Sequence, residues 1–261
     1  MSDIKLYKGD CIEVMQSLPD KCCDLILCDP PFGTTDCKWD SVLPMDKVWT
    51  QYNRLLKPQG SVLLFGSEPF SSFLRMSNIK AFKYDWIWKK NRPTGFQHAC
   101  NMPLKDYEII SVFSNASMGH ENLLGDKRMI YNPQGIVKIH REWKRSVSKF
   151  GSIVGKRKSH KDFGIQEYTN FPTMTLVYDK DEENLHPTQK PVALLSYLIK
   201  TYTNVGDTVL DNCLGSGSTG VACLETERNF IGIELDEHYF QVAINRIERK
   251  QKQGVQGELF E

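Results

Sequence analysis

The sequence predicts an α/β fold: a mostly parallel, doubly wound sheet with helices on both faces. Short apolar runs alternate with helix-like stretches through residues 1–113 and again through 186–252, the rhythm of strand–helix–strand units. A glycine-rich turn joins one of the last strands to a helix, as phosphate- and nucleoside-binding turns do in such sheets. With 261 residues, 40% hydrophobic and 25% charged, the chain is long enough to bury a sizeable core as one large domain or two small ones.

Taken in order, Cys23–Cys28 is a short apolar strand stopped by Asp29-Pro30-Pro31, and Met45 to Leu56 has a helical pattern. The turn Lys57-Pro58-Gln59-Gly60 leads into a second strand, Ser61–Gly66, followed by a helix from Pro69 to Met76. Tyr84–Trp88 and Tyr107–Phe113 are two further strands, separated by a basic, turn-rich loop at Lys89–Gly95. Residues 114–185 lose this rhythm and are expected to form an insertion. Order returns with a helix opened by Pro191 and running to Tyr202, then strand Thr208–Asp211, helix Thr219–Thr226, strand Phe230–Leu235 and the amphipathic helix Glu237–Lys252. The tail 253–261 is expected to be flexible.

Several function classes are excluded early. No apolar stretch approaches the roughly 20 residues that cross a bilayer, and the start, MSDIKLYKGD, lacks a signal-peptide core, so a cytoplasmic protein is expected. The eight cysteines have no C-x-x-C spacing and the histidines no ligand-like spacing, so reduced thiols and no metal site are expected.

Charge is unevenly spread. The chain carries +1, yet Lys127–Lys161 holds 11 Lys and Arg against the single acid Glu142, leaving −9 for the remainder. Such a block favours a polyanionic partner. Lys127, Arg128, Arg141, Lys144, Arg145, Lys156, Arg157 and Lys158 are the candidate phosphate contacts, with Tyr131 and Trp143 interleaved.

Two motifs carry chemistry. Strand Thr208–Asp211 runs into Gly215, Gly217 and Gly220 in G-x-G-x-x-G spacing, and Glu234 follows 19 residues after Gly215 at the end of the next strand. Glycines let the backbone approach a ligand, a helix start offers free N–H groups, and a carboxylate there can accept hydrogen bonds from a ribose diol. The spacing alone suits a dinucleotide or another adenosine cofactor. Its place near the C-terminus, with no nicotinamide half elsewhere, argues against a dinucleotide. The second motif is Asp29-Pro30-Pro31-Phe32. Two prolines remove two N–H donors, leaving a surface of acceptors beside an aromatic ring. Such a surface matches an amino group with two hydrogens on a planar ligand, as a flipped adenine presents.

In these residues and their order the chain resembles the β group of DNA amino-methyltransferases, which use S-adenosylmethionine. The tetrapeptide Asp29–Phe32 comes first, then the basic region, then the loop Asp211–Gly217. Gly9-Asp10-Cys11, Leu18-Pro19-Asp20 and His186-Pro187-Thr188-Gln189-Lys190-Pro191 match as well. The resemblance implies a Rossmann-like methyltransferase sheet, circularly permuted so that a catalytic half (1–113) precedes a target-recognition insertion (114–185) and a cofactor half (186–252). It implies Asp10, Cys11, Asp29, Thr188, Lys190, Asp211, Gly215, Gly217, Thr219 and Glu234 as cofactor-pocket residues, and Asp29, Pro30, Pro31 and Phe32 as the catalytic tetrapeptide. The loop opens with Asp211 where many relatives have Phe, and Phe32 replaces the commoner Tyr. Asp rather than Ser at position 29 points to adenine N6 over cytosine N4. Double-stranded DNA is the implied substrate, with a cognate restriction endonuclease and a second copy of the chain as candidate partners in a bacterial or phage-infected cell. An RNA or protein methyltransferase, and a DNA-binding module without catalysis, are the rival readings.

Overall fold

The computed structural model describes residues 2–33, 41–119, 121–144, 163–183 and 185–258. They fall into two compact units, Met1–Asn132 with Met174–Glu261, and Pro133–Thr173. In chain order the elements are β1 (Ile4–Lys8), α1 (Cys11–Ser17), β2 (Cys23–Cys28), α2 (Met45–Leu55), β3 (Leu56–Gly66), α3 (Phe70–Ser77), β4 (Phe82–Thr94), β5 (Lys105–Phe113), α4 (Glu121–Leu124), β6 (Val137–Lys144), β7 (Phe163–Thr169), β8 (Thr175–Val177), α5 (Val192–Tyr202), β9 (Thr208–Asp211), α6 (Ser218–Glu225), β10 (Asn229–Glu234) and α7 (Glu237–Glu258).

The larger unit is built on one sheet of eight strands in the order β1-β10-β9-β2-β3-β5-β4-β8. Neighbours are parallel except β5, which runs antiparallel to both β3 and β4. Every residue of β2 is buried because both faces of the sheet are covered. Leu25 and Leu27 point with Leu63 and Phe65 towards Leu194, Leu198, Ala222 and Ile247 of α5, α6 and α7. Ile26 and Cys28 point with Val62 and Leu64 towards Met15, Val48, Tyr52 and Leu74 of α1, α2 and α3. The period of two along each strand thus feeds two separate cores, and each large side chain so buried contributes about 1.5–3 kcal/mol.

The connections fix where a ligand can sit. From β9 the chain passes through α6 to β10 on one side, and from β2 it passes through α2 to β3 on the other. The adjacent carboxyl ends of β2 and β9 therefore flank a topological switch point, the crevice in which open α/β sheets bind ligands.

The structure corrects several local expectations. Lys57–Gly60 is not a turn but part of β3: the register shifts between Cys23 and Leu25, so a bulge absorbs the Pro-Gln-Gly sequence without reversing the chain. Gly60 is required there, since a Cβ would lie 2.6 Å from the Asp24 carbonyl oxygen. Lys89–Thr94 is likewise strand, because Thr94 pairs with Lys105 after an irregularity in β4. Helix α7 continues to Glu258, beyond Lys252, even though Gly254 and Gly257 are weak helix formers. Around the expected insertion, Ala116, Met129 and Leu176 are buried in the main core and β8 pairs with β4, so the smaller unit spans only Pro133–Thr173. Isolated apolar residues of this kind leave no period to read.

In the smaller unit β6 and β7 form an antiparallel ribbon, with Lys138 opposite Tyr168, Arg141 opposite Gln166 and Trp143 opposite Gly164. The Trp143 ring lies over Gly164, where a Cβ would meet Cζ2 at 2.9 Å. Among the described residues no helix is long and apolar enough to cross a membrane.

Candidate active site

A cleft of about 600 Å³ opens at the switch point. Four separated segments line it: Asp10 and Cys11 at the start of α1, Asp29–Phe32 after β2, Thr188 and Lys190 before α5, and Asp211, Gly215, Thr219 and Glu234 around β9, α6 and β10. Gly217 alone among the expected cofactor and catalytic residues is not part of the lining. It starts α6 with φ +78°, and a Cβ there would meet the Cα of Ala243 in α7 at 3.1 Å, so it closes one helix onto another. Asp10 has a second task, capping α1 by accepting from the amides of Ile12 and Glu13 at 2.9 and 3.1 Å.

On the glycine-loop side, the Asp211 carboxylate accepts from the Thr219 hydroxyl at 2.6 Å and the Cys213 amide at 3.1 Å. Burial nevertheless pushes it up to about 7. Gly215, at φ +54°, donates its amide to Glu234 Oε2 at 2.8 Å, and the Asp236 amide donates to Oε1 at 2.9 Å. Two N–H groups aim the Glu234 carboxylate and leave lone pairs on both oxygens, while burial raises its proton affinity. Arg246 reaches in from α7 and donates to the Ser216 carbonyl at 3.2 Å, the Ser218 hydroxyl at 2.8 Å and Asp181 at 3.3 Å.

On the opposite side, Lys190 donates to Asp29 Oδ2. Asp29 Oδ1 is buried and accepts no hydrogen bond from any described residue. Burial pushes the Asp29 carboxyl up to about 6, Lys190 opposing and Glu108 adding to the rise. Phe32 stacks on Phe70 with centroids 5.0 Å apart and 29° between planes. The Lys190 ammonium also lies 5.1 Å above the Phe65 ring.

The segment before α5 owes its course to Asp181 and Gln189. Gln189 donates to Asp181 at 3.2 Å and to the Glu183 carbonyl at 2.7 Å, and Asp181 caps α5 at the Val192 amide, 3.2 Å away. Thr188 lies against His186, whose ring meets Tyr239 edge-on at 4.2 Å.

Glu108, His186, Gln189 and Tyr239 also line the cleft, although the motifs do not single them out. For Glu108 a signal existed: it is the one charged residue in the mostly apolar run Tyr107–Phe113. Of the basic candidates, Lys127 is exposed and Arg128 half-buried in the larger unit, and Arg141 and Lys144 are exposed on β6. Arg145, Lys156, Arg157 and Lys158 lie outside the described residues.

The doubly wound sheet gathers a glycine turn, a strand-end acid and an acceptor-rich tetrapeptide around one cleft. Residues 23–245 match the family described as DNA methylase, and the chain belongs to that family. It is 27% identical over 279 residues to the type II methyltransferase M.HinfI of Haemophilus influenzae, covering 93% of this chain and 67% of that protein. It is 26% identical over 257 residues to the DNA adenine methyltransferase YhdJ of Escherichia coli K12, covering 93% of this chain and 82% of that one. The crystal structure of an M1.HpyAVI–SAM complex superposes with a TM-score of 0.61 at 27% identity, covering 93% of this chain and 99% of the other. The cytosine-N4-specific PvuII DNA methyltransferase shares the fold, with a TM-score of 0.63 at 17% identity over 97% of this chain and 91% of that one.

Proposed function

We propose that the protein transfers a methyl group from S-adenosylmethionine to the exocyclic N6 amine of an adenine flipped out of duplex DNA at a specific sequence. The observation that carries this reading is Asp29 Oδ1, a buried acceptor with no donor among the described residues, next to a proline that contributes a carbonyl and no N–H. The relative named as an adenine methyltransferase and the superposable SAM complex support it.

The residues fit the cofactor. Two buried carboxylates, Asp29 and Asp211, favour a ligand that carries positive charge, and Glu234 keeps acceptor capacity for a ribose diol. When bound, S-adenosylmethionine supplies an electrophilic methyl group on a sulfonium.

The adenine amine is a poor nucleophile because its lone pair is delocalised into the ring. Asp29 Oδ1 and the Pro30 carbonyl accept its two N–H bonds and favour a pyramidal nitrogen with the lone pair free. Positive charge grows on that nitrogen as the new bond forms, and the carboxylate stabilises it more in the transition state than before. The N–H bond then breaks, its electrons stay on nitrogen, and the proton passes to Asp29 Oδ1. Phe32 holds the base by stacking, a contribution of about 1–3 kcal/mol. Arg141 and Lys144 on the ribbon supply phosphate contacts. A cognate restriction endonuclease and a second copy of the chain are the protein partners this reading proposes, in the cytoplasm of the bacterial cell that holds the DNA.

Sequencing modified bases in DNA from cells expressing the protein tests the reading. N6-methyladenine in one sequence context is expected, and N4-methylcytosine or unmodified DNA would refute it. Methyl incorporation into DNA, RNA and protein, compared side by side, separates the rival substrates. Asp29→Ala should retain cofactor binding and lose transfer, and full activity in that variant would refute the assignment of Asp29.

A further inference from the structure

Behind Asp29 lies a buried chain of alternating charge. Lys190 pairs with Asp29 and also faces Glu108 Oε2 at 3.4 Å, and Lys90 pairs with Glu108 Oε1. The members come from the end of β2, the segment before α5, β5 and β4, and the Lys190, Glu108 and Lys90 side chains are only 7%, 14% and 10% exposed. Lys190 also donates to the Thr188 carbonyl at 3.2 Å. Methyl transfer as derived above uses Asp29, Pro30 and Phe32 and gives Glu108 and Lys90 no task.

We propose that Glu108 is a positioning residue: held by Lys90, it shares the Lys190 ammonium with Asp29 and so keeps Asp29 basic enough to take the proton that leaves the methylated amine. The inference rests on the reading of Asp29 as the acceptor of the substrate amine. If Lys190 served Asp29 alone, its full charge would hold the carboxyl ionised and make it a weak proton acceptor. A second carboxylate across the ammonium divides that charge and adds its own repulsion. Burial penalises the charge on Glu108, yet Lys190 and Lys90 outweigh it and hold Glu108 ionised. Burial likewise opposes the charge on Lys190, and Asp29 and Glu108 together keep it protonated. Other ionisable groups that face the chain are Asp211 across the cleft and Cys28 at the end of β2, both beside Asp29, His186 beside Lys190, and Lys105 at the start of β5 beside Glu108 and Lys90.

Removing either outer member should therefore move Asp29 in opposite directions. Glu108→Gln releases Lys190 fully to Asp29 and lowers its midpoint by roughly one pH unit, a tenfold change in proton affinity. Lys90→Met leaves Glu108 less neutralised and raises it. The titration of a 13C-labelled Asp29 carboxyl, followed by NMR in the full-length protein, reads this without activity. In active protein the acid limb of the pH–rate profile should shift the same way. A downward shift in Glu108→Gln together with an upward shift in Lys90→Met supports the proposal. A midpoint that stays put in either variant, or moves the other way, would overturn it. If Glu108→Gln does not fold, Lys90→Met decides alone: an upward shift supports the proposal and an unmoved midpoint overturns it. A wild-type protein that methylates no DNA would sink the functional reading while leaving the titration to judge the electrostatic one.

Discussion

The amide of Gly215 donates to the carboxylate of Glu234 at 2.8 Å, so the glycine turn after β9 and the acid ending β10 form one piece of structure. Glu234→Ala removes the proposed diol acceptor and also strands the Gly215 and Asp236 amides. At about 1.5–3 kcal/mol for hydrogen bonds to a charged group, S-adenosylmethionine affinity should fall by roughly 10- to 100-fold. Isothermal calorimetry checks this, and unchanged affinity would detach Glu234 from the cofactor.

Gly217→Ala tests the helix closure. The added Cβ meets Ala243 at 3.1 Å and the backbone remains at φ +78°. The cost should be about 1–3 kcal/mol, from strain and overpacking together. Thermal or denaturant unfolding reads it, and a variant as stable as the parent would contradict the close approach of α6 and α7.

The pH dependence of Asp211 has a definite sign. Burial raises its carboxyl from an unfolded value near 3.9 to about 7. Between these values the folded chain holds a proton that the unfolded chain releases. The contribution to stability is therefore full below about pH 4 and lost as pH rises through 7. Asp211→Asn should flatten the stability profile over this window. If the Asp211 carboxylate faces the cationic cofactor as proposed, affinity in the parent should rise with pH towards 7; calorimetry across pH 5–8 reads this, and a flat profile would detach Asp211 from the cofactor.

The ribbon should act through charge. Arg141→Ala and Lys144→Ala, both on the exposed β6 strand, should each reduce the salt dependence of DNA binding by about one unit of slope if each meets one phosphate. Binding assays across salt concentrations read this, and slopes equal to the parent's would remove these residues from the interface.

Much of this architecture was legible in the residues. The strands β2, β9 and β10 stand out because both faces are buried and the runs are apolar, and the tetrapeptide and glycine turn identify themselves by residue type. Glu108 escaped because its partners, Lys90 and Lys190, come from β4 and from the segment before α5, and such distances in sequence leave no pattern. Pro58-Gln59-Gly60 misled for a local reason: the same residues that make a turn also make a bulge when a neighbouring strand slips register. Among the described residues, edge strand β1 pairs only with β10, and its half-exposed residues show no apolar run.

The ribbon leaves the sheet-bearing unit after Asn132 and rejoins it at Met174. Both ends are stapled: the Asn132 amide donates to the Thr201 carbonyl at 2.7 Å, and the Met174 carbonyl accepts from the Ile87 amide at 2.8 Å. Forty-odd residues can thus be exchanged between fixed anchor points, leaving the cleft's walls untouched. If the ribbon reads the target as proposed, replacing it between these anchors changes which DNA is marked while the cleft keeps its residues.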